Sequence, residues 1–241
     1  MKKWQIWYVC LGVLFLLSGV VGCLLLHFAP DAGLAGVKSV ANLARLPVRL
    51  VWAQGDVVEG NETAALALED LTGNQQQYVQ EMLAADLAVL ATATGELDIT
   101  SSTLGQEIVV ERVLQGNGLD AGSTCMVWQE YGLQVIDGEI AYNNVLNLMQ
   151  PGKQYLIFLT DQSLNRVSDD RNYLVASTWF GYLPVPFSPD VALPDDSRCD
   201  LYAEWADYPA FLATPEIAQA RNAITVELLQ HYGLYESGSD W

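Results

Sequence analysis

The chain has 241 residues, 51% of them hydrophobic and only 17% charged, with 29 acids against 11 bases and a formal net charge of −18. Lys2 and Lys3 precede the first apolar segment and no acid does, so the rest of the chain carries nine bases against 29 acids, a net of −20. Nucleic-acid binding rests on Lys and Arg displacing counterions from phosphates, so this balance excludes nucleic acid as a partner and also repels anionic headgroups.

Residues 4–28, WQIWYVCLGVLFLLSGVVGCLLLHF, contain no acidic or basic residue except His27. At about 1.5 Å per residue a helix of this length covers a hydrocarbon core of about 30 Å with some tilt. Trp4, Trp7 and Tyr8 stand where an interfacial aromatic belt belongs. The expectation is a single-pass cell-membrane protein, with Lys2 and Lys3 holding the N-terminus in the cytoplasm and the acidic region outside. Lys38, Arg45 and Arg49 on the far flank oppose that bias. The alternative is a lipoprotein: Val20-Val21-Gly22-Cys23 is similar to a lipobox, in which Cys23 is acylated and the preceding segment removed. Leu24, Leu25 and Leu26 continue the apolar run, which favours the retained helix. Of the other cysteines, Cys125 and Cys199 lie in the outer region, where an oxidising compartment makes them a disulfide candidate; two buried thiols are the other reading.

The chain then divides into an anchor or lipoprotein-type signal segment (1–28), a juxtamembrane linker of uncertain structure (29–73), a main domain (74–235) and a frayed tail (236–241). Within the linker, Val37, Val40, Leu43 and Ala44 outline a short helix that stops before Pro47. Residues 48–58 read as a strand, with turn signals at Gly55-Asp56 and Gly60-Asn61, and Asn61-Glu62-Thr63 matches the glycosylation sequon. From Asn74 the pattern sharpens. Residues 75–85 read as a helix with Tyr78, Val79, Met82 and Leu83 on one face. Period two takes over in 87–94, and further strands are predicted over 108–114 and 124–128. Residues 131–136 and 139–142 flank Asp137-Gly138, a hairpin signal. The continuous apolar run 155–160 suits a strand buried on both faces, and 173–182 is the last strand candidate.

Strands at this spacing with Gly-containing turns predict a mainly β domain with flanking helices, an α+β arrangement around an antiparallel barrel or sandwich. Residues 183–199 form an irregular crossing with Pro184, Pro186, Pro189 and Pro194. Thr214-Pro215-Glu216 then opens a helix: a hydroxyl cap, proline in the first turn and a carboxylate at the positive dipole end. Ile217, Ala220, Ile224 and Leu228 form its apolar stripe, and Gly233 ends it.

Three segments share a recurring order: Ala85-Asp86 before an apolar strand, Val109-Val110-Glu111-Arg112-Val113-Leu114-Gln115-Gly116, and Gly152-Lys153-Gln154-Tyr155-Leu156-Ile157-Phe158-Leu159. Over residues 85–160 this resembles netrin-like domains, including tissue inhibitors of metalloproteinases, of the kind carried by membrane-anchored bacterial proteins. The resemblance implies an OB-like five-stranded barrel. Protease inhibition does not follow from it. Those inhibitors present a free N-terminal cysteine to the protease metal, whereas here a long membrane-linked segment comes first.

Catalytic material is sparse. His231 is the one histidine beyond residue 28 and sits near a helix end, and no zinc, thiol-redox, nucleophile-elbow or phosphate-loop motif occurs. Asp161, Ser163, Asn165 and Asp169 match oxygen-ligand positions of a calcium loop, but Arg166 stands at the glycine position and Asn172 at that of the bidentate acid. No cofactor is expected. Trp179, Phe180, Tyr182, Tyr202, Trp205 and Tyr208 are candidates for an aromatic binding platform, provided they are exposed together rather than packed in the core. The function expected is therefore a membrane-tethered, extracytoplasmic module binding a protein or envelope component. Its competitor is an envelope-associated hydrolase using paired carboxylates.

Overall fold

Two long alternating runs organise the fold. β2 (Leu87–Ile99) and β3 (Thr103–Gln115) have 13 residues each. Along β2, Ala91, Ala93, Leu97 and Ile99 are buried while Thr94, Glu96 and Asp98 are exposed, the period that puts alternate side chains on opposite faces. The structure, a computed structural model, describes residues 34, 36–50, 61–100, 103–130, 132–136, 139–160, 172–192, 198–199 and 201–235, with backbone alone at 61–64 and 198–199.

The chain is mainly β. The described strands form two sheets. The larger has the order β2-β3-β4-β8-β7-β9, with β4 (Thr124–Glu130), β7 (Gln154–Thr160), β8 (Asn172–Val175) and β9 (Tyr182–Val185). β2 also pairs with β7, Leu87 to Thr92 lying against Leu159 to Gln154, so the ladder β2-β3-β4-β8-β7 returns to β2. Every pairing in it is antiparallel except β4 with β8. The smaller sheet has the order β10-β1-β6-β5, from β1 (Val48–Leu50), β5 (Leu133–Ile136), β6 (Glu139–Tyr142) and β10 (Arg198–Cys199). Its β5–β6 pair is the hairpin predicted around residues 137–138.

Three cores result. Inside the closed ladder lie Val89, Ala91, Ile108, Val110, Cys125, Val127, Ile157 and Tyr182. On its outside, helices α2 (Asn61–Gly73), α3 (Gln75–Leu83) and α4 (Pro215–His231) cover Ala88, Leu156, Phe158 and Leu183. β7 thus sends Tyr155, Ile157 and Leu159 inward and Leu156 and Phe158 under the helices, which is why its sequence is apolar without alternation. The third core joins the smaller sheet to the far ends of β2 and β3 through Leu97, Ile99 and Leu104. Helix α1 (Val40–Leu43) packs there, capped by Ser39 accepting from Asn42 N–H, and so does the 3₁₀ turn Tyr202–Trp205. Val37, Val40, Leu43 and Val48, all within the segment expected as a linker, are buried in this core.

One predicted strand divides in two. Ala176 N–H donates to Phe158 O at 2.9 Å, and Phe158 N–H donates to Gly181 O at 2.9 Å. Both ends of the excursion 176–181 therefore meet the same β7 residue. Between them Ser177 Oγ accepts from Trp179 and Phe180 N–H, turning the chain so that Phe180 lies under the helices. β9 then recovers the ladder, inside what the proline content marked as irregular crossing.

Among the described residues no helix is long and apolar enough to cross a membrane. The predicted anchor at 4–28 and Cys23 lie outside the described residues, as does the tail 236–241.

Candidate functional site

Residues 143–150, between the hairpin and β7, have no regular secondary structure, yet Asn144 to Met149 are all buried. A buried irregular segment must find side-chain partners for its backbone. Asn147 supplies the largest share. Its Nδ2 donates to the carbonyls of Trp205 and Tyr208, both at 2.7 Å, and its Oδ1 accepts from Leu148 N–H and from the Tyr202 hydroxyl. Gln106 exchanges two bonds with Met149, donating to its carbonyl and accepting from its N–H. Tyr182 Oη donates to Asn147 O at 2.6 Å, and Gln150 N–H donates to Tyr155 Oη at 2.8 Å. Burial pushes the Tyr155 hydroxyl up to about 12, only partly offset by the Gln150 N–H. Burial likewise raises Tyr142, Tyr182 and Tyr202. All four phenols therefore stay protonated near neutrality; Tyr142, Tyr182 and Tyr202 donate to the segment, Tyr155 accepts from it, and none is poised as a base.

This clamped segment floors a cleft of about 590 Å³. One wall is β9 and its continuation, with Tyr182, Pro184, Pro186, Phe187 and Pro189. Facing it are Ala206 to Pro209, and between them the turn that leads into β7 brings Lys153 and Gln154. Lys153 and Asp207 form an ion pair of 3.3 Å across the cleft, with side chains 55% and 95% exposed, so solvent screening leaves it worth little and a ligand can displace it. Among the described residues Asp207 is the one carboxylate lining this cleft.

The six aromatic candidates do not share one face. Phe180 is buried in the helix-covered core, its ring 5.3 Å from that of Tyr78 and 5.5 Å from the Arg221 guanidinium, and Trp179 packs half-buried on the same core. Tyr202 and Trp205 are buried in the core of the smaller sheet, with Tyr208 half-buried beside them. Tyr182 is buried inside the closed ladder. A single exposed platform is thereby ruled out: burial divides the rings among three cores. Tyr182 and Tyr208 alone of the six line the cleft. No protein-family model matches the chain, and no curated protein matches it. The case for this site therefore rests on its geometry.

The other candidates are apart from it. Asp161, Ser163, Asn165 and Asp169 lie outside the described residues; Asn172, at the position of the bidentate acid, accepts from Trp128 Nε1 at 2.9 Å. Among the described residues no three His, Cys, Asp or Glu side chains are grouped to hold a metal. Cys125 is buried on β4 in the larger sheet, and Cys199 is on β10 in the smaller one. His231 is exposed in the last turn of α4, its ring against Tyr232.

Sequence reasoning missed Tyr155, Phe187 and the Lys153–Asp207 pair. The proline run was its one signal, since prolines outside regular structure make rigid, flat-sided walls. Also unforeseen was the Asp190–Arg221 ion pair beneath α4. Burial pushes the Asp190 carboxyl up against the downward pull of Arg221. Asn222 fixes the Asp190 backbone by two bonds of 2.8 and 3.0 Å, anchoring the strand-to-helix crossing behind the cleft wall.

Proposed function

We propose that this chain is a membrane-tethered binding module, held by residues 4–28 with its folded part outside the cytoplasm, and that it takes its ligand in the cleft between β9 and residues 206–209. The observation that carries the reading is the cleft itself. Its volume lies in the range of ligand sites, and eight of its 18 lining residues are aromatic or proline, beside a few polar groups. The fold proposed for it is an OB-like barrel of netrin-like type, supported by the ladder that returns from β7 to β2 and by the parallel β4–β8 pairing. A paired-carboxylate hydrolase needs a second acid beside Asp207, and the described residues of the cleft lining do not supply one.

The test uses the full chain in the membrane of the producing cell. A photo-crosslinking amino acid replaces Tyr208, and in a parallel sample Leu66, which is exposed on α2. The expected result is an adduct formed from position 208 and not from position 66. Equal labelling from both positions, or none from 208, overturns the reading. In the same cells Asp207→Cys should react with a membrane-impermeant maleimide before lysis; reaction only after lysis overturns the proposed orientation. An intact mass beginning at Met1 supports the retained helix, and a diacylated Cys23 start supports the lipoprotein.

A further inference from the structure

We infer that the ligand of this cleft is a neutral saccharide chain, a step that rests on the cleft being the binding site. The first argument is the edge of β9. Because Gly181 O accepts from Phe158, alternation along an antiparallel pair turns the backbone groups of residues 181, 183 and 185 toward β7 and those of 182 and 184 away from it. Pro184 therefore stands at an outward position, and Pro186 follows just beyond the strand. Neither has an N–H, so over residues 184–186 this edge, which pairs with no further strand among the described residues, offers carbonyl acceptors without the donors that alternate with them in a ladder. An added peptide strand needs both and is refused. A polyol, whose hydroxyls donate, is not.

The second argument is charge. Among the described residues the lining contains one cation and one anion, Lys153 and Asp207, already paired at 3.3 Å, within a region of net −20. An anionic ligand meets the repulsive field of the whole region, and the single lysine is neutralised by its neighbour. A neutral ligand meets neither obstacle: its hydroxyls can accept from Lys153 Nζ and donate to the Asp207 carboxylate as their mutual bond is exchanged. The third argument is the make-up of the lining. Tyr208, Phe187, Pro184, Pro186 and Pro189 bring apolar rings to it, and Ser188, Gln154 and Asp207 bring polar groups. A sugar ring, with apolar C–H faces and hydroxyls at its rim, has partners for both. The cleft is also distinct from the face of strands β3 and β4, where an OB-like barrel ordinarily takes ligands.

The experiment is calorimetric titration of the full chain in nanodiscs of neutral lipid. The probes are maltotetraose, cellotetraose and chitotetraose as neutral chains, tetragalacturonate as an anionic chain, and a decapeptide containing Pro as the polypeptide alternative. At least one neutral tetrasaccharide should bind, tetragalacturonate should not, and Tyr208→Ala should weaken binding by roughly tenfold or more. Asp207→Asn provides a second variant at an exposed position, where folding is not at stake, and should weaken the same saccharide. Failure of all three neutral chains to bind the wild-type protein overturns the saccharide assignment, as does binding unchanged by both substitutions. Binding of the decapeptide alone, lost in Tyr208→Ala, overturns the ligand class while leaving the cleft as the binding site. Absence of crosslinking from position 208 overturns the binding site itself.

Discussion

Asp190 and Arg221 form an ion pair in which both side chains are 1% exposed. It joins the middle of the proline-rich crossing to the inner face of α4, and Arg221 Nε reaches on to the Trp179 carbonyl at 2.9 Å. Breaking such a pair leaves a bare charge in the core. Arg221→Ala is expected to lower stability by about 3–5 kcal/mol in denaturant titration of the purified chain. Among the described residues Asp190 Oδ1 and Arg221 Nη2 have no hydrogen-bond partner, so the pair is incompletely compensated there even when intact. Asp190→Leu combined with Arg221→Met should therefore recover most of what the single Arg221 substitution loses.

The same pair has a pH signature. A carboxyl raised in the folded state binds its proton more tightly there than in the unfolded chain. Its contribution is fully present below the ordinary carboxylate value and is lost as pH rises through the folded value. Arg221→Ala removes the group that lowers Asp190, so its folded value rises further. The deficit of that variant should shrink as pH falls toward about 4, the ordinary carboxylate range. Denaturant midpoints for the two proteins at neutral and acidic pH measure it.

Glu111 has the opposite sign. Bonds from Thr92 Oγ1 and Gln154 Nε2 hold its carboxyl below the usual range. Stability from those bonds is present above the unfolded value and lost as pH falls through the folded one. Glu111→Gln should be less stable than the parent at neutral pH, and the two should converge in acid. Parallel melting curves across that range test the convergence.

Gly116 and Gly122 both adopt φ of +85°, yet they should respond differently to alanine. At Gly122 nothing lies within 4 Å of an added Cβ, so Gly122→Ala should cost about 1–2 kcal/mol, the penalty of the left-handed conformation. At Gly116 the added atom would sit 2.1 Å from Asp86 O and 2.8 Å from Leu87 Cδ2. Backbone must move there, so Gly116→Ala should exceed the other by several degrees in melting temperature.

Asn147 offers the sharpest test of the clamped segment. Asn147→Ala strips partners from two carbonyls, one N–H and the Tyr202 hydroxyl at once. Each buried orphan costs about 1–3 kcal/mol, so a loss of at least about 3 kcal/mol is expected. Amide exchange at Leu148, whose N–H loses its acceptor, should accelerate more than exchange at Ile157 inside the ladder.

The parts of this fold governed by local chemistry were readable in advance. Thr214-Pro215-Glu216 marked the start of α4, and Thr214 Oγ1 does accept from Ile217 N–H. The unbroken run from Tyr155 to Thr160 announced a strand covered on both sides. The inner face of α4 was less legible. Ala220 stood in the predicted stripe, whereas Arg221 is buried, because its neutralising partner lies 31 residues away. Residues 173–182 read as one strand because nothing local marks the detour at Ser177. Its cause is the space under α4 that Phe180 fills. The cleft was least legible, since it exists only where three separated stretches converge on β9.

Phe158 holds both ends of that detour, and this makes residues 176–181 a parenthesis in the ladder. Excising five of these six residues would leave one opposite Phe158 and keep the strands on either side in register with β7, so the sheet does not depend on the excursion. The last helix does. Its arginine grips a carbonyl within the detour and lies over the Phe180 ring there. The seat of α4 is thus shared between this insert and the strand residues beneath it, Ala88, Leu156, Phe158 and Leu183. Rewriting the side chains of the insert would alter part of what the helix rests on and leave every strand pairing in place.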